Sequence, residues 1–456
     1  MGGLYELWRI TTKIAPYCRQ TTKIFLPLPF HLSNQNHIRN RHSMERFTGL
    51  IGIVLILGIA YLMSNNRKAI NFRTVGMGLA LQAGLAVFIL KTPVGTATFQ
   101  TLGNWVTRVI SFSSEGAKFV FGPLADVPLL ETVFRGGGFI FFFNIIPTII
   151  FVAVLVNIFY HLGVIQFIIK WLAKGMKMLM GVSGSEALSN ISSAFVGQVE
   201  AQIMIKPYLK GMTLSELTAS MAGSYACIAG GVMATYIQFG VPASYLIAAS
   251  IMAAPGALAI SKIMYPETEE SETKGVVTLK VEKEHTNIID AISAGCSDGL
   301  KVGLNVLAML IGFLALIALI NFIFSKVGSV MNYPDFSLDT LLGYLFAGFA
   351  WCMGVPKEEI LQAGSLMGTK LAANEFVAYL KLSPMIKAGA LTPKTIAIVS
   401  FALCGFANFG SLGIQIGGIS ALEPSRRADL TKVAVRALIA GTLASYMSAT
   451  LAGILF

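Results

Sequence analysis

Residues 183–209 read SGSEALSNISSAFVGQVEAQIMIKPYL, and residues 355–382 read VPKEEILQAGSLMGTKLAANEFVAYLKL. Both stretches are too polar to cross a membrane unaided and too apolar for ordinary loops. Each carries apolar residues at helical spacing, then a polar midpoint, then a second apolar arm. The midpoints are Gly197-Gln198-Val199-Glu200 and Asn374-Glu375. This pattern predicts two helical hairpins that enter a membrane and turn back at mid-depth, where backbone can bend only against protein or a cavity.

The same two segments succeed each hairpin. A span interrupted by small and polar residues comes next, YACIAGGV at 225–232 and CGFANFGS at 404–411, and then an unbroken apolar span. The order hairpin, broken helix, helix therefore occurs at 183–209, 213–238 and 242–261, and again at 355–382, 394–420 and 431–456. Glu200 precedes Gly230 by the same distance as Glu375 precedes Gly405. Repeated halves with breaks in matching positions point to a secondary transporter whose substrate site lies between them.

Composition agrees. Of 456 residues, 55% are hydrophobic and 12% charged, about half the charge of an average soluble domain. Eight apolar runs read as spans, at 47–64, 74–92, 140–168, 213–238, 242–261, 302–325, 394–420 and 431–456, each near the length that crosses a bilayer. The fold class is thus an all-α polytopic membrane protein with about eight transmembrane helices, two re-entrant hairpins and an inverted repeat.

The organisation divides into a basic extension (1–43), N-terminal scaffold helices with an interfacial segment (44–180), a first transport repeat (181–261) and a charged cytoplasmic loop (262–290). A long scaffold helix and an amphipathic helix (291–352) and a second transport repeat (353–456) complete it. Residues 1–43 resemble nothing downstream, and Met44 opens an apolar run as a natural start would, so the extension is expected to be unfolded. The formal charge of +11 includes +5 from this extension. The rest fits the Lys/Arg bias of cytoplasmic connections at Arg67/Lys68, Lys170 to Lys177, Lys206/Lys210 and Arg426/Arg427, so nucleic acid is not implied. Five scattered cysteines lack metal or disulfide spacing, and no cofactor is expected.

An ionisable group at membrane depth is costly and is read as functional by default, which singles out Glu200 and Glu375. Each stands near an amide, Gln198 and Asn374, and a carboxylate with an amide suits a neutral polyhydroxylated or amide-bearing solute. Asn408 and Ser411 extend the polar set, and Phe406 offers an aromatic face. Glu186 and Glu216 read as helix caps, His161 as a buried hydrogen-bonded group, and Cys227 and Cys404 as small fillers. An intramembrane enzyme would need a nucleophile with its base or a metal set, and neither HExxH nor paired membrane aspartates occur. A channel would show a symmetric pore-lining ring.

Five motifs in order resemble the concentrative nucleoside transporter family: Gly197-Gln198-Val199-Glu200-Ala201, Lys206-Pro207-Tyr208-Leu209, Ala226-Cys227-Ile228-Ala229-Gly230, Asn374-Glu375-Phe376-Val377-Ala378-Tyr379 and Cys404-Gly405-Phe406-Ala407-Asn408. The resemblance runs from about residue 44 to the C-terminus. It implies a homotrimer in the plasma (cell inner) membrane that imports nucleosides of the uridine, cytidine and adenosine class with a cation, by elevator-like alternating access. The other carrier reading is a small polar metabolite of a different kind.

By that resemblance Gln198, Glu200 and Val232 contact the base, with Val199 beside them. Glu375, Asn408 and Ser411 bind the ribose hydroxyls, and Phe406 packs on the nucleoside. A sodium ion would be held by the carbonyls of Ser193, Val196, Cys227 and Ile228. The family's hydroxyl residues there are replaced by Val199 and Cys227, and sodium wants hard oxygen ligands. Proton coupling through Glu200 or Glu375 is therefore expected, with sodium as the alternative.

Overall fold

The computed structural model describes residues 35–134, 138–273, 285–330 and 336–456, which form α- and 3-10 helices and no strand. Contacts divide the chain into units 1–44 and 45–456. The second holds the hairpins, the broken helices and the site. Of the extension expected to be unfolded, residues 1–34 lie outside the described residues, while a helix already runs from Gln35 through Leu62 (α1). The expectation is corrected there.

Next come α2 (Phe72–Lys91), α3 (Pro93–Ser111), α4 (Ser113–Phe121) and α5 (Val127–Val133). Asn71, Thr92 and Asp126 cap three of these with their side chains, satisfying amides that a helix start leaves unpaired. Along α3 and α4, Trp105, Phe112 and Phe119 stand exposed, in keeping with an interfacial segment. The run 140–168 is not one span. Gly163 adopts a left-handed φ of 75° and divides it into α6 (Phe141–His161) and α7 (Val164–Met180). His161 is half-buried, and its Nδ1 has no hydrogen-bond partner among the described residues.

Hairpin 1 has a first arm, α8 (Gly184–Ser193), a short turn of helix at its tip, α9 (Glu200–Ile203), and a 3-10 stretch Lys206–Gly211. Its second arm is therefore not a regular helix. The broken helix is α10 (Leu214–Ala226) with α11 (Gly230–Gln238), and α12 (Ala243–Met264) comes after it. Glu186 and Glu216 close capping boxes with Ser183 and Thr213, as expected of them.

The 43-residue α13 (Ile288–Val330) is about 65 Å long at 1.5 Å per residue, twice the hydrocarbon core and well beyond the span expected at 302–325. It is largely bare, and packs on α6 through Gly295 and Gly299. A Cβ at these positions would stand 2.6 Å from Val154 Cα and 2.5 Å from Ile150 Cα. Small residues four apart let the two backbones close up.

The second repeat starts after α14 (Leu338–Cys352). That helix exposes Leu341, Tyr344 and Leu345, so it is apolar on its outer face as well, against the expectation of an amphipathic helix. Hairpin 2 has two regular arms, α15 (Ile360–Ala372) and α16 (Glu375–Lys387). The second broken helix is α17 (Pro393–Leu403) and α18 (Phe409–Leu422), and α19 (Arg427–Leu455) closes the chain.

Among the described residues six helical stretches are long and apolar enough to cross a membrane: Phe72–Lys91, Phe141–His161, Leu214–Gln238, Ala243–Met264, Ile288–Val330 and Pro424–Leu455. The remaining two expected spans are a shorter apolar helix, Thr48–Leu62, and the broken pair α17 and α18. The basic connections gather at one end. Asn65 N–H donates to Met264 O (2.9 Å), Arg426 Nη1 to Lys210 O (2.8 Å) and Gly184 N–H to Thr273 O (3.2 Å).

The charged loop 262–290 is not simply solvated. Lys262 is buried and pairs with Glu186 at 2.8 Å, Thr213 Oγ1 donates to Glu267 (2.8 Å) and Thr273 Oγ1 to Glu216 (2.6 Å). Its first part is a strap across the starts of α8 and α10, and α13 already begins at Ile288.

Candidate functional site

The two helix breaks touch each other. Gly405 takes a φ of 122°, and a Cβ there would fall 2.5 Å from Tyr225 O, so only glycine lets the second break lie against the first. Phe406 N–H donates to Cys227 O at 3.3 Å, and Ser445 Oγ on α19 reaches Cys404 O (2.8 Å) and Ala226 O (3.5 Å). Side by side, the breaks expose backbone groups and their flanking side chains to one region of the interior.

At the tip of hairpin 2, Asn374 Oδ1 accepts from Val377 N–H (2.9 Å) and so starts α16, which sets Glu375 in its first turn. Asn408 does the same for α18, accepting from Ser411 N–H at 2.9 Å. Its amide nitrogen then donates to Glu375 Oε2 at 3.0 Å, and Tyr236 Oη donates to Oε1 at 3.3 Å. Glu375 is 4% exposed and Asn408 5%, so the carboxylate is held by named donors away from bulk water. Phe406 lies half-buried in the same break and Ser411 is buried beside it. Of the residues singled out in the sequence, Glu375, Asn408, Ser411 and Phe406 are thus brought together.

Hairpin 1 presents a different arrangement. Glu200 is exposed and lines a cavity of about 490 Å³ with Val196, Val232, Asn157, Tyr160 and, across from them on α13, Asp298 and Lys301. Gly197, at φ 123°, lets the tip turn tightly enough that a Cβ would meet the Glu200 carboxylate at 2.7 Å. Val199 packs toward α18, where a Cβ on Gly418 would stand 3.0 Å from its side chain. Gln198 is half-buried, and its Oε1 has no partner among the described residues.

For a cation, the expected group divides. Ser193 Oγ donates to Ser189 O (2.8 Å) and shares a hydrogen bond with Ser224 Oγ (2.9 Å). The Cys227 carbonyl already accepts the Phe406 N–H, and its thiol reaches Ser250 O at 3.6 Å. Ile228 is buried beside it, while Val196 faces the cavity. Cys404 Sγ lies 3.5 Å from Ser250 Oγ, so both cysteines fill the junction as expected. Among the described residues no group of three His, Cys, Asp or Glu side chains could hold a metal.

Three features escape a reading of the sequence. Gln202, fully buried, donates to Ser224 Oγ (2.9 Å) and Ser189 Oγ (3.2 Å) and accepts from Ser220 Oγ (2.8 Å). It ties the tip of hairpin 1 to hydroxyl rungs between α8 and α10, Ser189 to Ser220 and Ser193 to Ser224. Their signal is two serine pairs at helical i, i+4 spacing. Tyr236 reads as an ordinary core aromatic; it stacks on Tyr379 at 4.2 Å and turns its hydroxyl to Glu375. Lys370 is buried as the one charged residue of the arm α15.

Comparison with known proteins agrees with this geometry. Family models match the chain in three parts: Na+ dependent nucleoside transporter N-terminus (residues 51–124), Nucleoside recognition (142–243) and Na+ dependent nucleoside transporter C-terminus (245–453). An uncharacterized transporter of Haemophilus influenzae is 45% identical, covering 90% of this chain and 98% of that protein. The nucleoside permease NupC of Helicobacter pylori is 38% identical, covering 89% and 96%. The solved structure of CNTnw in an inward-facing substrate-bound state is 40% identical with a TM-score of 0.85, covering 90% of this chain and 97% of that one. The chain belongs to the concentrative nucleoside transporter family, and is a multi-pass plasma membrane protein and not an enzyme.

Proposed function

We propose that this protein imports nucleosides by symport with a cation, with the substrate held between the two hairpin tips. The observation that carries the reading is the Glu375 carboxylate, buried at a double helix break and held by Asn408 and Tyr236. A carboxylate with free lone pairs in such a place accepts hydrogen bonds from vicinal hydroxyls, which a ribose supplies. Glu375, Asn408 and Ser411 are assigned to the ribose and Phe406 to packing against the nucleoside. Gln198, Val199, Glu200 and Val232 are assigned to the base.

Residues 181–261 and 353–456 form the moving repeats on a scaffold of 44–180 and 291–352, working as a homotrimer with an elevator motion. The likeness to CNTnw, solved in inward-facing, intermediate and outward-facing states, supports the motion.

The coupling ion is the proton, carried by Glu200 or Glu375. Two of the matching family models are named for sodium dependence, but this chain has Val199 and Cys227 where hydroxyls are expected, and Cys227 O is already engaged. The exposure of Glu200 to a cavity lets its carboxylate exchange protons with water. Uptake of labelled uridine into proteoliposomes tests the reading, first with sodium varied at fixed pH, then with pH varied without sodium. Accumulation driven by an inward proton gradient is expected. Strict sodium dependence would overturn the proton assignment, and equilibration without accumulation would overturn symport.

A further inference from the structure

None of the roles above uses Lys370. It sits in the first arm of hairpin 2, 1% exposed, and its ammonium donates to Ala402 O at 2.9 Å and to Cys404 O at 3.5 Å. These carbonyls end α17, where the break removes the N–H groups of a following turn. A helix C-terminus carries partial negative charge and favours a cation.

The neighbouring carbonyls have partners of their own: Tyr379 Oη donates to Ser400 O (2.8 Å) and Cys404 N–H to Phe401 O (3.2 Å). Cys404 O is shared, accepting from Ser445 Oγ (2.8 Å) as well as from Lys370, so Ala402 O is the nearer acceptor of the ammonium. Each arm of hairpin 2 thus sends one side chain to the end of the broken helix, Lys370 from the first and Tyr379 from the second. A buried ammonium is tolerated only where acceptors or counter-charges surround it. Here they are two carbonyl dipoles, with Glu375 at the start of the next arm.

The first repeat has no such group. The offset that carries Glu200 onto Glu375 and Gly230 onto Gly405 carries Phe195 onto Lys370, and at the helix ends Cys227 caps α10 as Cys404 caps α17. The capping carbonyl accepts from Lys370 in the second break and from the backbone N–H of Phe406 in the first.

We propose that Lys370 is a resident counter-ion. Its tethered ammonium supplies the positive charge of the second break from within the chain, so no mobile ion is needed there, and it fixes hairpin 2 on α17 with Glu375 in place to accept hydrogen bonds. It is a positioning residue.

The test is uridine uptake and uridine binding by purified, reconstituted Lys370→Met, Lys370→Gln and Lys370→Ala proteins. The readout rests on the transport reading above, and wild-type protein in the same vesicles tests that reading by itself. Met keeps the volume without the charge, and Gln keeps a donor without the charge. Both should lower uptake about tenfold or more, as expected for a lost charge-assisted hydrogen bond. In Lys370→Ala, added methylammonium should restore uptake, whereas methanol, a neutral donor of similar size, should not. If Lys370→Ala cannot be extracted folded, the same two additives are compared for recovery of monodisperse protein. Wild-type uptake by the Gln variant, or equal rescue by methanol, would overturn the proposal, because a structural cap needs a donor but no charge.

Discussion

Asn408 does two jobs at once, and substitution can separate them. Its Oδ1 caps α18 through Ser411 N–H at 2.9 Å, and its Nδ2 donates to Glu375 at 3.0 Å. Losing a cap costs about 1 kcal/mol. Losing a hydrogen bond to a charged group costs about 1.5–3 kcal/mol, on the order of 10- to 100-fold in an equilibrium constant. Asn408→Ala removes both. Asn408→Ser keeps a capping oxygen but is too short to reach Glu375.

Thermal unfolding in detergent should therefore place Asn408→Ala about 1 °C below Asn408→Ser, because the unfolding entropy grows by about 2.1 cal/mol/K per residue and a chain this long shifts by only about a degree per kcal/mol. Uridine uptake should behave otherwise. Both variants should lose affinity by about tenfold or more, because Glu375 is left with Tyr236 as its named donor. The decisive assay is the concentration dependence of uptake at matched protein levels. If Asn408→Ala stays within about twofold of wild type, the Asn408–Glu375 pair does not shape the substrate site and the reasoning fails.

Lys262→Met leaves the buried Glu186 carboxylate without its 2.8 Å partner and should cost about 3–5 kcal/mol; a fall in melting temperature of about 3–5 °C is expected, partly recovered by adding Glu186→Gln. Gly405→Ala forces a Cβ onto Tyr225 O at a φ of 122° and should abolish recovery of monodisperse protein on size exclusion, whereas Gly417→Ala, with open space around it, should be neutral. Val199→Thr returns a hydroxyl to the hairpin 1 tip. Sodium stimulation of uridine uptake should appear or rise in that variant, measured at constant pH.

Legibility in this sequence depends on physical period and cost. Hairpins and breaks are visible because glycines, amides and a carboxylate stand out within runs that must otherwise be apolar. Glu375 and Asn408 come together as expected because each stands at a helix start set by an asparagine cap, a role readable from local sequence. Tyr236, Gln202 and Lys370 are not legible as parts of the site. Tyrosine is common in cores, and serine and glutamine signal only when the facing helix is known.

The first turns of α13 are polar enough to look like loop, which hides its length, and the strap 262–273 is hidden because burial of Lys262 depends on Glu186, far away in the chain. Gly163 carries its own signal, since glycine is the usual residue at a left-handed helix end, but the apolar residues on both sides mask it.

The two repeats share an order of elements and differ in what holds them. Hairpin 2 has two regular arms, each pinned to the end of α17, and its glutamate is buried. In hairpin 1 the hydroxyl rungs run along the first arm and Gln202 anchors only the end of the tip, while Glu200 opens into a cavity faced by α13. A side chain held by many buried partners is costly to move, and one facing a cavity is not. The region between the hairpin tips, proposed above to hold the substrate, is therefore closed on the side of hairpin 2 and open on the side of hairpin 1. The asymmetry is written in the residues: Lys370 and Tyr379 of hairpin 2 correspond to Phe195 and Met204 of hairpin 1, neither of which can hold a carbonyl.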